Sequence, residues 1–159
     1  MPQVLITYYS RTGNTEKMAE TVAVGASQVS GVEVDLRPVS ETTPDDLLAA
    51  DGIIMGSPVY FGTMAAELKS LIDESVKHYG KFTGKVGGAF ASSAAIGGGT
   101  ETTVLDILKA MLIHGMIVQG STEDAHYGAV ALGEPDDRAV RECRALGRRV
   151  AELAARLAG

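Results

Sequence analysis

Apolar residues in this chain fall into two alternating patterns. Short runs of branched and aromatic residues read as strands buried on both faces: Val4–Tyr9, Val32–Leu36, Gly52–Gly56, Val86–Ala91 and Met116–Val118. Between them, apolar positions recur every three or four residues, as on one side of a helix. Thr15–Val29 aligns Met18, Val22 and Ala26; Met64–Val76 aligns Leu68, Leu71 and Ile72; Thr103–His114 aligns Leu105, Leu108 and Leu112. The last segment, Asp137–Leu157, is the clearest. Val140, Cys143, Leu146, Val150, Leu153 and Leu157 form one stripe, and Arg138, Arg141, Arg144, Arg148 and Arg156 take much of the remaining surface. Five strands alternating with helices predict an α/β fold, a parallel sheet covered on both faces. Right-handed crossovers leave the doubly wound strand order 2-1-3-4-5 as the expected layout, in a single domain over residues 1–159.

Ligands in such a sheet sit beyond the carboxyl ends of the strands, at the switch point between the first and third. The loops after Tyr9, Gly56 and Ala91 are therefore where chemistry is expected. Composition narrows the kind of chemistry. The formal net charge of -6 argues against a nucleic-acid partner, which needs a basic footprint. One cysteine excludes a disulfide framework or a four-cysteine metal site. No apolar run reaches membrane-spanning length and the N-terminus shows no targeting pattern, so a cytoplasmic protein without membrane insertion is expected.

The first loop is Ser10-Arg11-Thr12-Gly13-Asn14-Thr15, between a strand and a helix. It offers three hydroxyls, a Gly-Asn pair tolerant of positive φ, and the unpaired N–H groups and positive dipole end of the next helix. That is a phosphate cradle needing no lysine, with Arg11 as its only cation. It could also be a hydroxyl-rich turn with a helix cap. The second loop, Pro58-Val59-Tyr60-Phe61-Gly62, sets two adjacent aromatics at the expected ligand edge. A flat ring system would suit them. The third, with Ser93, Ala94, Ala95, Gly97 and Gly98, exposes backbone N–H groups that could stabilise negative charge. Thr100 or Thr102 is expected to cap the helix that follows.

Other chemistries find little support. Gly80–Val86 mimics a Walker loop, but its spacing is one residue short and Val86 stands where a hydroxyl should hold magnesium. The acids of a phosphoacceptor receiver are missing from Tyr9-Ser10 and Gly56-Ser57. No G-x-S-x-G elbow occurs. His78, His114 and His126 lack zinc-ligand spacing, so no metal site is expected. Cys143, on the apolar stripe of the last helix, reads as packing.

The first loop resembles the T/S-x-T-G-x-T phosphate loop of flavodoxins, which holds flavin mononucleotide (FMN). The wider pattern resembles a narrower group, the WrbA type of flavodoxin-like NAD(P)H:quinone oxidoreductases. Its motifs appear in order as Gly56–Met64, Gly84–Ser92, Gly97–Thr103, His114-Gly115-Met116 and Tyr127-Gly128-Ala129. The resemblance implies a flavodoxin-like fold, bound FMN, NAD(P)H as co-substrate, a quinone acceptor and a homo-oligomer, dimer or tetramer. It implies that Ser10–Thr15 hold phosphate and that Pro58–Gly62 and Ser93–Gly98 frame the ring. His114 would approach the flavin from a neighbouring loop, and Tyr79, His126 and Tyr127 would line the substrate opening. His114 reads equally well as a helix-terminal residue favoured by the dipole. Three departures stand out: Arg37–Asp51 is compact, Val59-Tyr60-Phe61 replaces T-R-F, and Tyr79 replaces a tryptophan. An electron carrier of the flavodoxin type, with FMN but no substrate turnover, is the alternative.

Overall fold

The computed structural model describes all residues from Met1 to Gly159. Strands β1 (Gln3–Tyr8), β2 (Glu33–Pro38), β3 (Gly52–Tyr60), β5 (Val86–Ser93), β6 (Ile117–Val118) and β7 (Ala129–Leu132) build a sheet, and β4 (Thr63–Met64) folds back antiparallel on β3. Helices are α1 (Asn14–Ser27), α2 (Pro44–Ala49), α3 (Ala66–Glu74), α4 (Thr100–Ile113) and α5 (Asp137–Ala158). The path β2-β1-β3-β5-β6 is parallel, and β7 pairs with β5 beyond β6. Numbered by position across the sheet, this is the expected order 2-1-3-4-5. Its fifth position is filled by two pieces of chain rather than one: β6 meets the start of β5 at Val86-Gly87, and β7 meets its end at Phe90–Ser93.

Pleating sorts each apolar run between two layers, because successive side chains point to opposite faces. Val4, Ile6 and Ile54 face α1 and α5, where they meet Met18, Val22, Leu146 and Val150. Leu5, Ile53 and Met55 face the other way, toward Leu68, Leu71, Val104 and Ile107 of α3 and α4. Cys143 is fully buried in the first layer, and burial pushes its thiol up to about 12. It is inert packing at neutral pH.

Three elements, α2, β4 and β7, are additions to the sequence expectation. The compact Arg37–Asp51 stretch holds α2, started by a reciprocal cap in which Asp46 N–H donates to Thr43 and the Asp46 carboxylate accepts from Thr43 N–H. The last strand resumes at β7 after the excursion 119–128. The cap expected from Thr100 or Thr102 does not form. Gly99, in the left-handed region, occupies the N-cap of α4, and the Thr102 hydroxyl turns back to the Gly99 carbonyl. No helix is long and apolar enough to cross a membrane.

Candidate functional site

Three loops meet at the carboxyl ends of β1, β3 and β5. The first leaves β1 and starts α1 through Gly13, whose φ of 101° only glycine adopts freely. Ser10 Oγ accepts from the N–H groups of Gly13 and Glu16, both at 3.2 Å, which curls the loop into a concave turn. The Ser10 O–H stays free to donate outward. The N–H groups of Arg11, Thr12, Asn14 and Thr15 meet no acceptor in the protein. Open space lies above Gly13, where a Cβ would touch nothing within 4 Å. Unpaired N–H groups at a helix N-terminus, facing an open concavity, fit a phosphate. Thr15 is placed differently from its neighbours. Its buried hydroxyl pairs with Ser92 Oγ at 2.8 Å and ties the cradle to the end of β5. Thr12 keeps its hydroxyl without a protein partner, and Arg11 stays exposed.

The second loop is a two-residue hairpin joining β3 to β4, with Tyr60 paired to Thr63. Both central residues have positive φ, 50° at Phe61 and 80° at Gly62, which is a type I′ turn. A bulky aromatic rarely takes this conformation. The Phe61 ring is fully in solvent, at 106% of its reference exposure. Strain together with an exposed aromatic marks a functional position rather than a packing one. Beneath it, the Tyr9 and Tyr60 rings meet edge to face with centroids 6.3 Å apart. Ser57 Oγ anchors the base of the hairpin by accepting from Ala65 N–H at 2.8 Å.

The third loop, Ser93–Gly99, presses against that hairpin. Thr102 Oγ1 shares its one proton between the Gly99 carbonyl at 3.0 Å and the Gly62 carbonyl at 3.1 Å, and Thr63 Oγ1 donates to Asp106 at 2.7 Å. Bonds from Lys109 and Thr63 hold the Asp106 carboxyl below its usual range, so it stays an acceptor. Hairpin and α4 thus form one wall. The N–H groups of Ala94, Ile96 and Gly97 have no protein acceptor, and Ile96 stands exposed beside them. Apolar Phe61 and Ile96 with unpaired N–H groups suit a flat, polar-edged ring.

Not every residue expected at the site is there. His114 ends α4 at the amino ends of the strands, next to Gly115, whose carbonyl accepts from Gly84 just before β5. Tyr79 is beside it, ring centroids 6.1 Å apart. The length of β5 separates both from the cradle, roughly 20 Å at the usual rise per residue. Within one chain they do not reach a ligand held by Ser10–Thr15. Burial lowers the pKa of His114, which opposes the charge that a helix dipole would favour. His126 and Tyr127 are exposed in the excursion before β7, at the sheet edge, with His126 Nδ1 2.8 Å from the Ser121 carbonyl. His78 is bound to Asp45. Ser92 and Asp106 brace the site but were not foreseen; no local pattern pairs residues 77 or 43 positions apart.

A hollow of about 560 Å³ lies on the far side of Ser10, among Tyr8, Tyr9, Val39 and Ser70. Glu16 and Glu67 line it and no basic residue does, so it does not suit an anionic cofactor. The Tyr8 phenol donates to Glu16 at 2.9 Å, and burial with that carboxylate pushes its pKa up to about 12.

Residues 4–125 match the model of a protein family described as NADPH-dependent FMN reductase. The chain belongs to that family. It is a flavoprotein oxidoreductase with FMN as its flavin and NAD(P)H as its electron source, and the three loops fit that cofactor. Over 163 positions it is 43% identical to a flavodoxin of Aquifex aeolicus (strain VF5), covering 98% of this chain and 88% of that protein. It is 34% identical to an NAD(P)H dehydrogenase (quinone) of Chromohalobacter salexigens over 201 positions, covering 100% of both. Among solved structures, a flavodoxin, WrbA-like protein from Agrobacterium tumefaciens superposes with a TM-score of 0.83 at 28% identity, covering 98% of this chain and 99% of that one. The flavodoxin-like fold and the WrbA-type resemblance are both borne out.

Proposed function

We propose that this family member transfers two electrons from NAD(P)H to a quinone: NAD(P)H, a proton and quinone give NAD(P)⁺ and hydroquinone. Bound FMN supplies the hydride-accepting and hydride-donating chemistry. The chain supplies placement. Ser10–Asn14 would bind the phosphate through N–H groups and the free Ser10 and Thr12 hydroxyls. Tyr60, Phe61 and the N–H groups of Ala94, Ile96 and Gly97 would orient the ring. Phe61 and Ile96 would shed water from its outer edge, and Tyr127 would border the substrate opening.

The observation that carries this reading is the make-up of the three loops. They gather unpaired backbone donors and exposed apolar side chains but no acid–base pair, which suits chemistry performed by a cofactor on an open face. Full-length similarity to quinone dehydrogenases supports the acceptor class. One fact favours the second reading, an electron carrier. The alignment to the flavodoxin needs 163 positions, whereas that to the quinone dehydrogenase stretches this 159-residue chain over 201.

Anaerobic mixing of the flavin-loaded protein with NADH and NADPH separates the two. Rapid, complete loss of the visible flavin band, reversed by benzoquinone, is expected. A band that persists with both nucleotides, yet bleaches with dithionite, would make the protein a carrier.

A further inference from the structure

A small hollow at the amino ends of the strands gathers donors that the flavin reading does not use. It is lined by His114 and by three methionines, Met55 on β3, Met111 on α4 and Met116 just before β6. The rest of its wall is apolar, apart from Ser75. Its free space is about 20 Å³, room for a single atom or ion.

The hydrogen bonds fix which histidine nitrogen keeps a free lone pair. Ser75 Oγ donates its only proton to the Ile72 carbonyl at 2.5 Å. It can therefore only accept from His114 Nε2, 2.8 Å away, so Nε2 carries the hydrogen. Nδ1 is left with a lone pair. That atom is buried and has no hydrogen-bond partner. A buried polar atom without a partner calls for an explanation. A water would find few partners, because besides Nδ1 the lining offers only the remaining Ser75 Oγ lone pair, the lower limit of the two to four polar contacts a buried water makes.

We propose that the hollow binds one soft monovalent metal ion of the Cu(I) or Ag(I) class, through His114 Nδ1 and the thioethers of Met55, Met111 and Met116. Thioether sulfur selects soft ions. No carboxylate or thiolate lines the hollow, so a divalent ion would be buried without compensating charge. The Nε2–H to Ser75 bond is the outer support that a metal-bound histidine needs to hold its ring and tautomer. A way in exists. An outer hollow of about 410 Å³ shares Ile72, Ala110 and His114 with the inner one and opens beside exposed Tyr79 and Val76. This inference is independent of the proposed quinone activity.

The test is an anaerobic titration of the flavin-loaded protein with Ag(I) nitrate in chloride-free buffer, its methionine methyl groups labelled with ¹³C. Binding should saturate at one equivalent and shift the methyl signals of Met55, Met111 and Met116, leaving Met1 and Met18 unmoved. Cys143→Ala should keep the stoichiometry, since that thiol sits in the other core layer. Ser75→Ala, which removes only the outer support, should weaken binding about 10- to 100-fold. Met111→Leu, close in volume, should weaken it at least as much while the flavin stays bound. Absence of saturable binding, shifts confined to Met1 or Met18, or loss of binding in Cys143→Ala would each overturn the proposal.

Discussion

Phe61 shows what a single residue reveals once its backbone is known. From the sequence, Tyr60 and Phe61 stood out as aromatics at a strand end in a protein poor in aromatic residues, and the structure places both at that loop. The left-handed backbone was not legible, since Phe-Gly is no hairpin dipeptide on composition alone. The chain holds Phe61 at φ 50° through β3–β4 pairing and the bond from Thr102 to Gly62. A non-glycine residue in that region carries roughly 1–2 kcal/mol of strain, least for asparagine. Phe61→Asn should therefore stabilise the flavin-free protein, by about 1 kcal/mol, while weakening FMN binding. Urea unfolding of the apoprotein and a flavin-fluorescence titration read the two effects separately. A loss of apoprotein stability would show that the ring is held for packing and that the strain argument is mistaken.

At the scale of elements, α1 and α5 cross with backbone close against backbone. Gly25 and Gly147 face each other's helices: a Cβ on Gly25 would lie 2.0 Å from the Arg144 carbonyl oxygen, and one on Gly147 would lie 2.0 Å from that of Val22. Backbone meets backbone there, so no side chain can yield. Gly147→Ala must push the helices apart, and overpacking of this kind costs about 1–3 kcal/mol, here at the upper end. Because α1 starts at the proposed phosphate cradle, FMN affinity should fall as well. Thermal unfolding with and without FMN checks both, and an unchanged midpoint would contradict the crossing. The α5 stripe itself was plain in the sequence, since apolar residues recur over 22 residues with a charged opposite side. Two shorter elements, α2 and β7, were not legible. For α2 the signal was present, as Thr43-Pro44-Asp45-Asp46 is a cap followed by proline, but six residues give too little periodicity to stand out. For β7 the difficulty was topological. Two separate segments, β6 and β7, fill one strand position, and only their shared partner β5 shows it.

The whole molecule divides its chemistry between two ends of one sheet. The hydroxyls, unpaired N–H groups and exposed apolar residues that suit FMN lie at the carboxyl ends of the strands, on a single chain. His114 and Tyr79, grouped with them by motif resemblance, lie at the amino ends, because α4 runs back along β5 to deliver His114 and α3 returns to the start of β5 to deliver Tyr79. Sequence order made the strand-end loops legible, but it did not reveal which end of the sheet a residue after a helix would reach. The separation has a measurable consequence. If one chain holds the flavin unaided, FMN affinity should not change when the protein is diluted through any self-association. Tyr79→Ala, at a side chain 65% exposed, should then leave both FMN affinity and thermal stability within experimental scatter. Flavin-fluorescence titrations over a hundredfold range of protein concentration, paired with light scattering, decide the matter. Affinity that falls on dilution, together with weaker binding in Tyr79→Ala, would mean that the amino end of one copy completes the flavin site of another. Constant affinity would leave the amino end free for the separate chemistry of the methionine-lined hollow.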